Sequence, residues 1–292
     1  MAFYPASELV LNPNGSVYHL NLLPHEVAPI VITVGDPDRV EMVSQHFDTI
    51  LYKKQHREFI THTGSFNGKL ITVISTGIGC DNIDIVLNEL DALVNIDFET
   101  RMVKPQLTSL KIIRIGTSGA LIPDIPVESF VVSQGAIGYD GLMHFYPYQP
   151  TPQAQEIYNA LPNLGNNITP YVAMASPELV NLFDFQHPQW FSGVTITCSG
   201  FYAPQGRALR AGALLPHFLD DLRSIKLPTS YQLANFEMET AAIYGLAQLL
   251  GHSAASVNVI LANRSSRQFS ANPKKAVKAL IEQALPIIAN NL

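Results

Sequence analysis

Two glycine-bearing turns carry arginines that could bind a negatively charged ligand. VGDPDRV (34–40) places Gly35 directly after an apolar run and Arg39 in the turn that follows. Such a turn can direct backbone N–H groups and a guanidinium at one anion, although Gly-Asp-Pro is also an ordinary turn sequence. IRIGTSGAL (113–121) puts Arg114 inside an apolar strand, shortly before the hydroxyl of Thr117. A buried arginine needs a partner, which is either an internal carboxylate or a bound oxyanion.

A third segment combines an amide, a guanidinium and an aromatic ring. SGFYAPQGRALR (199–210) holds Phe201, Gln205 and Arg207. Glutamine both donates and accepts, whereas arginine only donates, so the pair can meet an edge that presents acceptor, donor and acceptor. Uracil presents that edge at O2, N3 and O4. A solvated polar loop would have the same composition, and the segment alone does not decide between the two.

NFEMETAAI (235–243) places Glu237, Met238 and Glu239 at the predicted first turn of a helix. Acidic residues there are favourable with the helix dipole. They could instead accept hydrogen bonds from the vicinal hydroxyls of a sugar, with the thioether covering its apolar face.

His19 and the His56-Arg57-Glu58 segment complete the candidates. Either histidine is more often structural than catalytic, and neither has metal-ligand spacing to Cys or Asp, so no metal site is predicted.

The elements that must position these residues alternate along the chain. Apolar, β-rich runs predict strands at 28–35, 70–77, 111–119, 129–138, 193–200 and 253–262, and helical periodicity predicts helices at 82–93, 238–250 and 274–291. This is α/β organisation, in which sites lie at the turns that follow strands. No linker or low-complexity tract divides the chain, so we expect one domain over 1–292.

Composition narrows the classes of partner. The formal net charge of −6 argues against nucleic acid or acidic lipid as the main partner, because both require a basic surface. No leader-like segment and no apolar run near about 18 residues is present, which predicts a cytoplasmic protein without a membrane span. Cys80 and Cys198 are expected to be reduced core thiols.

Taken together, the segments resemble the nucleoside phosphorylase family, and within it the uridine type. GDPDRV, HREF, STGIG, RIGTSGA, FYAPQGR and NFEMET occur here in the family's order. The resemblance implies a single α/β domain around a mixed, partly barrel-like sheet flanked by helices. It implies a pentosyltransferase that splits uridine reversibly into uracil and ribose 1-phosphate in pyrimidine salvage. Inorganic phosphate would be the co-substrate, no cofactor would be needed, and the active unit would be at least a homodimer.

The resemblance also assigns roles to particular residues. It implies phosphate binding by Gly35, Arg39, Arg57, Arg114 and Thr117, ribose binding by His19, Glu237, Met238 and Glu239, and base binding by Ser118, Gly119, Phe201, Gln205 and Arg207. Arg207, Gln205 and Glu239 would act in catalysis. Arg57 and His19 would reach the site from a neighbouring subunit. In some relatives a monovalent cation lies near the residues that Glu58 and Ser75 match, and the sequence leaves its presence here open.

Departures from the family pattern bear on the substrate. The loop before Arg207 departs from the pattern at Ala203, Pro204 and Gly206, so the preference for uridine over thymidine or deoxyuridine stays open. Segment 95–110 is longer than in bacterial members, so it stays open whether this chain forms their hexamer. Ala262 and Asn263 stand where purine-directed relatives tend to carry Ser-Asp. Asparagine cannot protonate a departing purine, which favours a pyrimidine. A purine or thymidine phosphorylase, a nucleosidase of the same fold and a non-catalytic nucleoside-binding module remain the alternatives.

Overall fold

Runs of apolar, β-branched residues form the central strands, as the sequence predicts. The computed structural model describes residues 3–163 and 168–292. The expected domain 1–292 also includes residues 1, 2 and 164–167, which lie outside the described residues.

In the described part of the chain the strands are β1 Ile30–Val34, β2 Thr49–His56, β3 Phe59–Phe66, β4 Lys69–Ser75, β5 Ile96–Asp97, β6 Met102–Val103, β7 Lys111–Ala120, β8 Phe130–Tyr139, β9 Tyr171–Met174, β10 Trp190–Cys198, β11 Leu233–Glu237, β12 Ser253–Asn263 and β13 Gln268–Phe269. The α-helices are α1 Asp38–Ser44, α2 Cys80–Asn95, α3 Pro152–Asn159, α4 Pro177–Val180, α5 Phe218–Ser224, α6 Thr240–Leu250 and α7 Pro273–Asn291. Short 3₁₀ turns cover Pro24–Glu26, Leu142–Phe145 and Ala203–Gln205.

Strand β7 joins two parts of the sheet. On one side it pairs with β12 along its whole length, and on the other it pairs first with β1 in parallel and later with β11 in antiparallel. Because β12 also pairs with β8, β8 with β10 and β10 with β11, these five strands close into a barrel. Strands β1, β4, β3 and β2 extend the sheet from β7. The predicted α/β fold with a mixed, partly barrel-like sheet is therefore confirmed.

The change of partner along β7 leaves a gap in the sheet. Pairing with β1 ends at Arg114, and pairing with β11 begins at Gly119. Between them one backbone edge of β7 has neither neighbour. Ligand sites in α/β folds form where neighbouring strands diverge in this way.

Helices cover the sheet with apolar faces that the sequence largely predicts. In α2, Val86, Leu90 and Leu93 are buried, and Ile83 is buried beside them. Helix α7 buries Leu280 and other apolar residues against the sheet despite an internal proline. Part of the long segment 95–110 forms the β5–β6 hairpin, which stands apart from the main sheet.

Candidate active site

A cavity of about 760 Å³ opens at the gap along β7. Its walls come from the ends of β1, β4, β10, β11 and β12 and from the turns that follow them. Twelve of the predicted site residues line it: Gly35, Arg39, Arg114, Thr117, Ser118, Gly119, Phe201, Gln205, Arg207, Glu237, Met238 and Glu239. Residues from four distant segments of the sequence, 35–39, 114–119, 201–207 and 237–239, thus share one cavity.

One corner of the cavity, the anion corner, holds Arg39, Arg114 and Thr117. Arg39 lies in the first turn of α1, and its Nη1 donates to the Ile115 carbonyl on the free edge of β7 at 3.3 Å. Burial, followed by the charge of Arg114, lowers the pKa of Arg39 to about 10. Two neighbouring guanidiniums destabilise each other until an anion lies between them. Thr117 lies inside β7, within the predicted strand 111–119, because the ladder with β12 carries β7 through to Ala120.

Arg114 has carboxylate partners in the structure. Its Nη2 lies 2.5 Å from Glu239 Oε2 and 3.4 Å from Glu237 Oε2, and its Nη1 bonds Asn258 Oδ1. Burial alone would lower the pKa of Arg114, but the two carboxylates outweigh it and raise that pKa. Burial and the Glu237 charge raise the pKa of Glu239, although Arg114 opposes them. The internal ion pair left open by the sequence is therefore present, and it faces the cavity.

The NFEMET segment spans a junction of strand and helix. Glu237 ends β11, and α6 begins only at Thr240, so the predicted helical first turn for 237–239 is wrong. The Glu237 carboxylate accepts from Thr197 Oγ1 at 2.7 Å and from the backbone N–H of Glu239 at 2.9 Å and of Thr240 at 3.0 Å. The carboxylate therefore satisfies backbone N–H groups at the start of α6, while the backbone of Glu237 still pairs with β10. Glu239 Oε1 accepts from Gly79 N at 2.8 Å.

The second corner is aromatic. Arg207 Nη1 donates to Gln205 Oε1 at 2.5 Å and to the Phe201 carbonyl at 2.7 Å, and its guanidinium lies 3.8 Å from the Phe201 ring centroid. Burial, followed by the charge of Arg264, lowers the pKa of Arg207 to about 10. Arg264 holds this loop by donating to the Gln205 carbonyl at 3.2 Å. Because Gln205 Oε1 already accepts from Arg207, its NH₂ group is left to donate.

Sequence reasoning missed several wall residues: Asp36, Pro37, Gly77, Ile78, Asn82, Phe236, Leu261 and Phe269. Phe236 could have been found, because it lies inside a motif already singled out. A Cβ on Gly119 would lie 3.2 Å from the Phe236 ring, so the small residue lets the aromatic ring pack against β7. Ile78 lies in the STGIG segment (75–79), whereas Phe269, which is also largely exposed, has no distinguishing sequence pattern.

His19 and Arg57 lie outside the cavity of their own chain. His19 Nδ1 is 2.6 Å from Glu89 Oε1, and the His19 carbonyl accepts from His56 Nδ1 at 2.8 Å. Arg57 is exposed at the β2–β3 turn with φ +54°, and its guanidinium is 5.6 Å from the Tyr18 ring centroid. The two predicted subunit-crossing residues therefore share one surface of the molecule.

Ser75 and Glu58, which match the cation-site residues of some relatives, contact each other in the structure. Ser75 Oγ donates to the Glu58 carbonyl at 2.6 Å and accepts from Ile60 N at 2.7 Å, so the hydroxyl is engaged within the chain. Across 3–163 and 168–292, no group of three or more His, Cys, Asp or Glu residues could hold a metal ion.

Within those same ranges no helix has the length and apolar character to cross a membrane.

The class of enzyme is defined by a closed barrel whose cavity has Arg39 and Arg114 at one corner and Phe201 with Arg207 at the other. The model of the phosphorylase superfamily matches residues 29–289, and the chain belongs to that superfamily. The uridine phosphorylase of Thermococcus kodakarensis is 28% identical over 98% of this chain and 91% of its own length. That of Escherichia coli is 29% identical over 92% of this chain and 96% of its own length.

Solved structures agree on the architecture. A Trypanosoma brucei nucleoside phosphorylase whose crystal structure is described as showing uridine phosphorylase activity is 30% identical, with a TM-score of 0.88 over 97% of this chain and 99% of that one. A purine nucleoside phosphorylase from Toxoplasma gondii, at 23% identity and a TM-score of 0.66, shares the fold.

Proposed function

We propose that this protein catalyses the reversible phosphorolysis of uridine to uracil and ribose 1-phosphate. The observation that carries the proposal is that one cavity joins the Arg39 and Arg114 corner to the Gln205 and Arg207 corner. The first corner suits a phosphate, and the second suits the polar edge of a pyrimidine. The activities named for the Thermococcus, Escherichia and Trypanosoma relatives support the same substrate.

In the proposed reaction a phosphate oxygen forms a bond to C1′ of the ribose while the bond from C1′ to N1 of the base breaks. The electron pair of the broken bond goes to the uracil ring, which later takes a proton. Gln205 and Arg207 donate to the base as its charge grows, so they bind the transition state more strongly than uridine. Met238 and Glu239 hold the ribose, and no covalent enzyme intermediate is required.

Asn263 supports a pyrimidine over a purine. Its Nδ2 donates to the Ile122 carbonyl at 2.9 Å and the Ile125 carbonyl at 2.8 Å, while its Oδ1 accepts from the N–H groups of Ser265 and Ser266. The amide is thus fully used in holding the turn after β12. It is neither an acid nor free to turn toward a departing purine.

The test is uracil release from a nucleoside panel with and without inorganic phosphate. We expect cleavage only with phosphate, or with arsenate in its place. Uridine should exceed inosine and cytidine by about 10⁴-fold in kcat/KM, because a mismatched base leaves buried polar groups unpaired. Undiminished cleavage in phosphate-free buffer would indicate a nucleosidase, comparable rates on inosine would indicate a purine enzyme, and binding of uridine without turnover would indicate a binding module.

The proposal includes a site shared between two subunits. Arg57 and His19 lie together on a surface outside their own cavity, which supports their use by a neighbouring copy. Arg57→Ala and Arg207→Ala would each be inactive alone. In a mixed dimer one site carries both lesions and the other carries neither. With random exchange of equal amounts about half of the dimers are hybrids, so roughly a quarter of the sites should work.

Subunit exchange is followed separately by mass labelling of one variant. Recovery of activity that rises with the hybrid fraction supports the shared site. Complete exchange without any recovered activity would show that Arg57 serves its own chain or no site.

A further inference from the structure

A chain of four hydrogen-bonded side chains runs through the barrel interior and ends at the cavity wall. Ser133 Oγ lies 2.5 Å from Thr195 Oγ1, which donates to Asn235 Oδ1 at 2.7 Å. Asn235 Nδ2 in turn donates to Ser118 Oγ at 2.7 Å. The first three residues are fully buried, whereas Ser118 lines the cavity.

The donor and the acceptor in each of these bonds determine which way the Ser118 hydroxyl can donate. The Asn235 amide has one accepting and one donating end, and the accepting end is engaged by Thr195. Its donating end therefore faces Ser118, whose hydroxyl oxygen accepts. A serine hydroxyl that accepts keeps its own hydrogen for another partner. Among the described residues, Ser118 Oγ has no second hydrogen-bond partner.

The surroundings of Ser118 indicate where that hydrogen can go. Ser118 lies on the stretch of β7 that has neither β1 nor β11 beside it. Thr117 precedes it at the anion corner, and Gly119 follows it against Phe236. Ser118 thus stands between the phosphate side and the aromatic side of the cavity.

We propose that Asn235 is a positioning residue that keeps the Ser118 hydroxyl a donor toward the leaving base. This inference rests on the proposed phosphorolysis of a pyrimidine nucleoside. Negative charge grows on the carbonyl oxygens of the departing pyrimidine, and a fixed donor stabilises that charge more than it stabilises the ground state. Asn235 contacts no substrate itself and acts through Ser118.

The test compares Ser118→Ala, Asn235→Asp and the double variant for kcat and KM with uridine. A carboxylate at 235 would accept from Ser118 and pull its hydrogen away from the cavity. Each single variant should lose about tenfold to a hundredfold in kcat, with a smaller change in KM. In the Ser118→Ala background, Asn235→Asp should cost no more than about twofold, because the hydroxyl that it would redirect is gone.

Two further variants separate positioning from folding. Asn235→Ala avoids a buried charge and should show the same lack of effect once Ser118 is alanine. Tyr244→Phe is the matched control, because this fully buried side chain donates to the Ser133 carbonyl at 2.7 Å and accepts from Ser256 N at 2.8 Å without touching Ser118. It should lower the unfolding temperature and leave kcat within about twofold.

Full kcat in Ser118→Ala or in Asn235→Asp would overturn the inference. So would a loss from Asn235→Asp or Asn235→Ala that is equally large with and without the Ser118 hydroxyl. Wild-type turnover of uridine in the same assay decides the proposed function, whereas the coupling between the two positions decides this inference.

Discussion

Removal of Arg114 should destabilise the protein as well as disable it. Glu239 and Glu237 are each about 4% exposed, and Arg114 lies 2.5 and 3.4 Å from their oxygens. Arg114→Ala leaves both carboxylates buried without their cation. Breaking a buried pair from one side costs about 3–5 kcal/mol. With an unfolding entropy of about 2.1 cal/mol/K per residue, that loss corresponds in this 292-residue chain to a fall of roughly 5–8 °C in unfolding temperature.

The loss should depend on pH in a defined direction. Burial and the Glu237 charge already raise the pKa of Glu239, and Arg114 is the group that opposes them. Without Arg114 the Glu239 pKa rises further. Between the unfolded pKa and this raised value the folded protein binds more protons than the unfolded chain, so stability falls as pH increases. Arg114→Ala should therefore be closer to wild type at pH 5 than at pH 8.

Thermal unfolding across that pH range, read by calorimetry, measures both effects. Adding Glu239→Gln to Arg114→Ala removes one orphaned charge and should restore several degrees. Lys278→Ala is the control, since Lys278 Nζ lies 3.6 Å from Glu282 Oε1, the two side chains are 57% and 47% exposed, and such surface pairs contribute about 0–1 kcal/mol. An Arg114→Ala protein that unfolds within about 2 °C of wild type at every pH would refute the reasoning.

Three further outcomes follow from the cavity walls. Because the pKa of Arg39 is about 10, phosphate affinity measured by calorimetry should fall as pH rises through 10, and affinity that stays level to pH 11 would contradict this role. Arg207→Met should reduce the preference for uridine over cytidine by about tenfold to a hundredfold while phosphate affinity is kept, and an unchanged preference would remove Arg207 from base recognition. Gly119→Ala should raise KM for uridine with phosphate affinity unchanged, since its Cβ would lie 3.2 Å from Phe236, and an unaltered KM would place the base elsewhere.

The sequence predicts the strands better than their arrangement. Apolar β-branched runs between turn residues are local signals, and each of the six predicted strands is present. Closure of the barrel depends on β11 meeting β7 at Phe236 and Gly119, across more than a hundred residues of chain. Local periodicity contains no information about such a contact. The barrel was expected only from the family resemblance.

The site residues, like the strands, could be predicted where the signal is local in sequence and not where it depends on distant contacts. Gly35 directly follows β1 and Arg39 lies in the first turn of α1, so both could be predicted as site residues, because sites in α/β folds lie where strands end. The partners of Arg114 were undecided because Glu239 lies 125 residues away in sequence. The capping role of Glu237 was missed because the helix start was placed too early, and a carboxylate that ends a strand has the same local appearance as one that starts a helix.

The charges around the cavity suit the proposed reaction in a specific way. Arg39 and Arg114 face Glu237 and Glu239, so the four groups balance in formal charge before phosphate enters. Phosphate brings between about one and two negative charges at neutral pH. The loaded site therefore carries an excess of negative charge, and this excess favours a cation developing at C1′ of the ribose. An arginine from a neighbouring subunit would then assist phosphate binding rather than neutralise the carboxylates, which already have Arg114 between them.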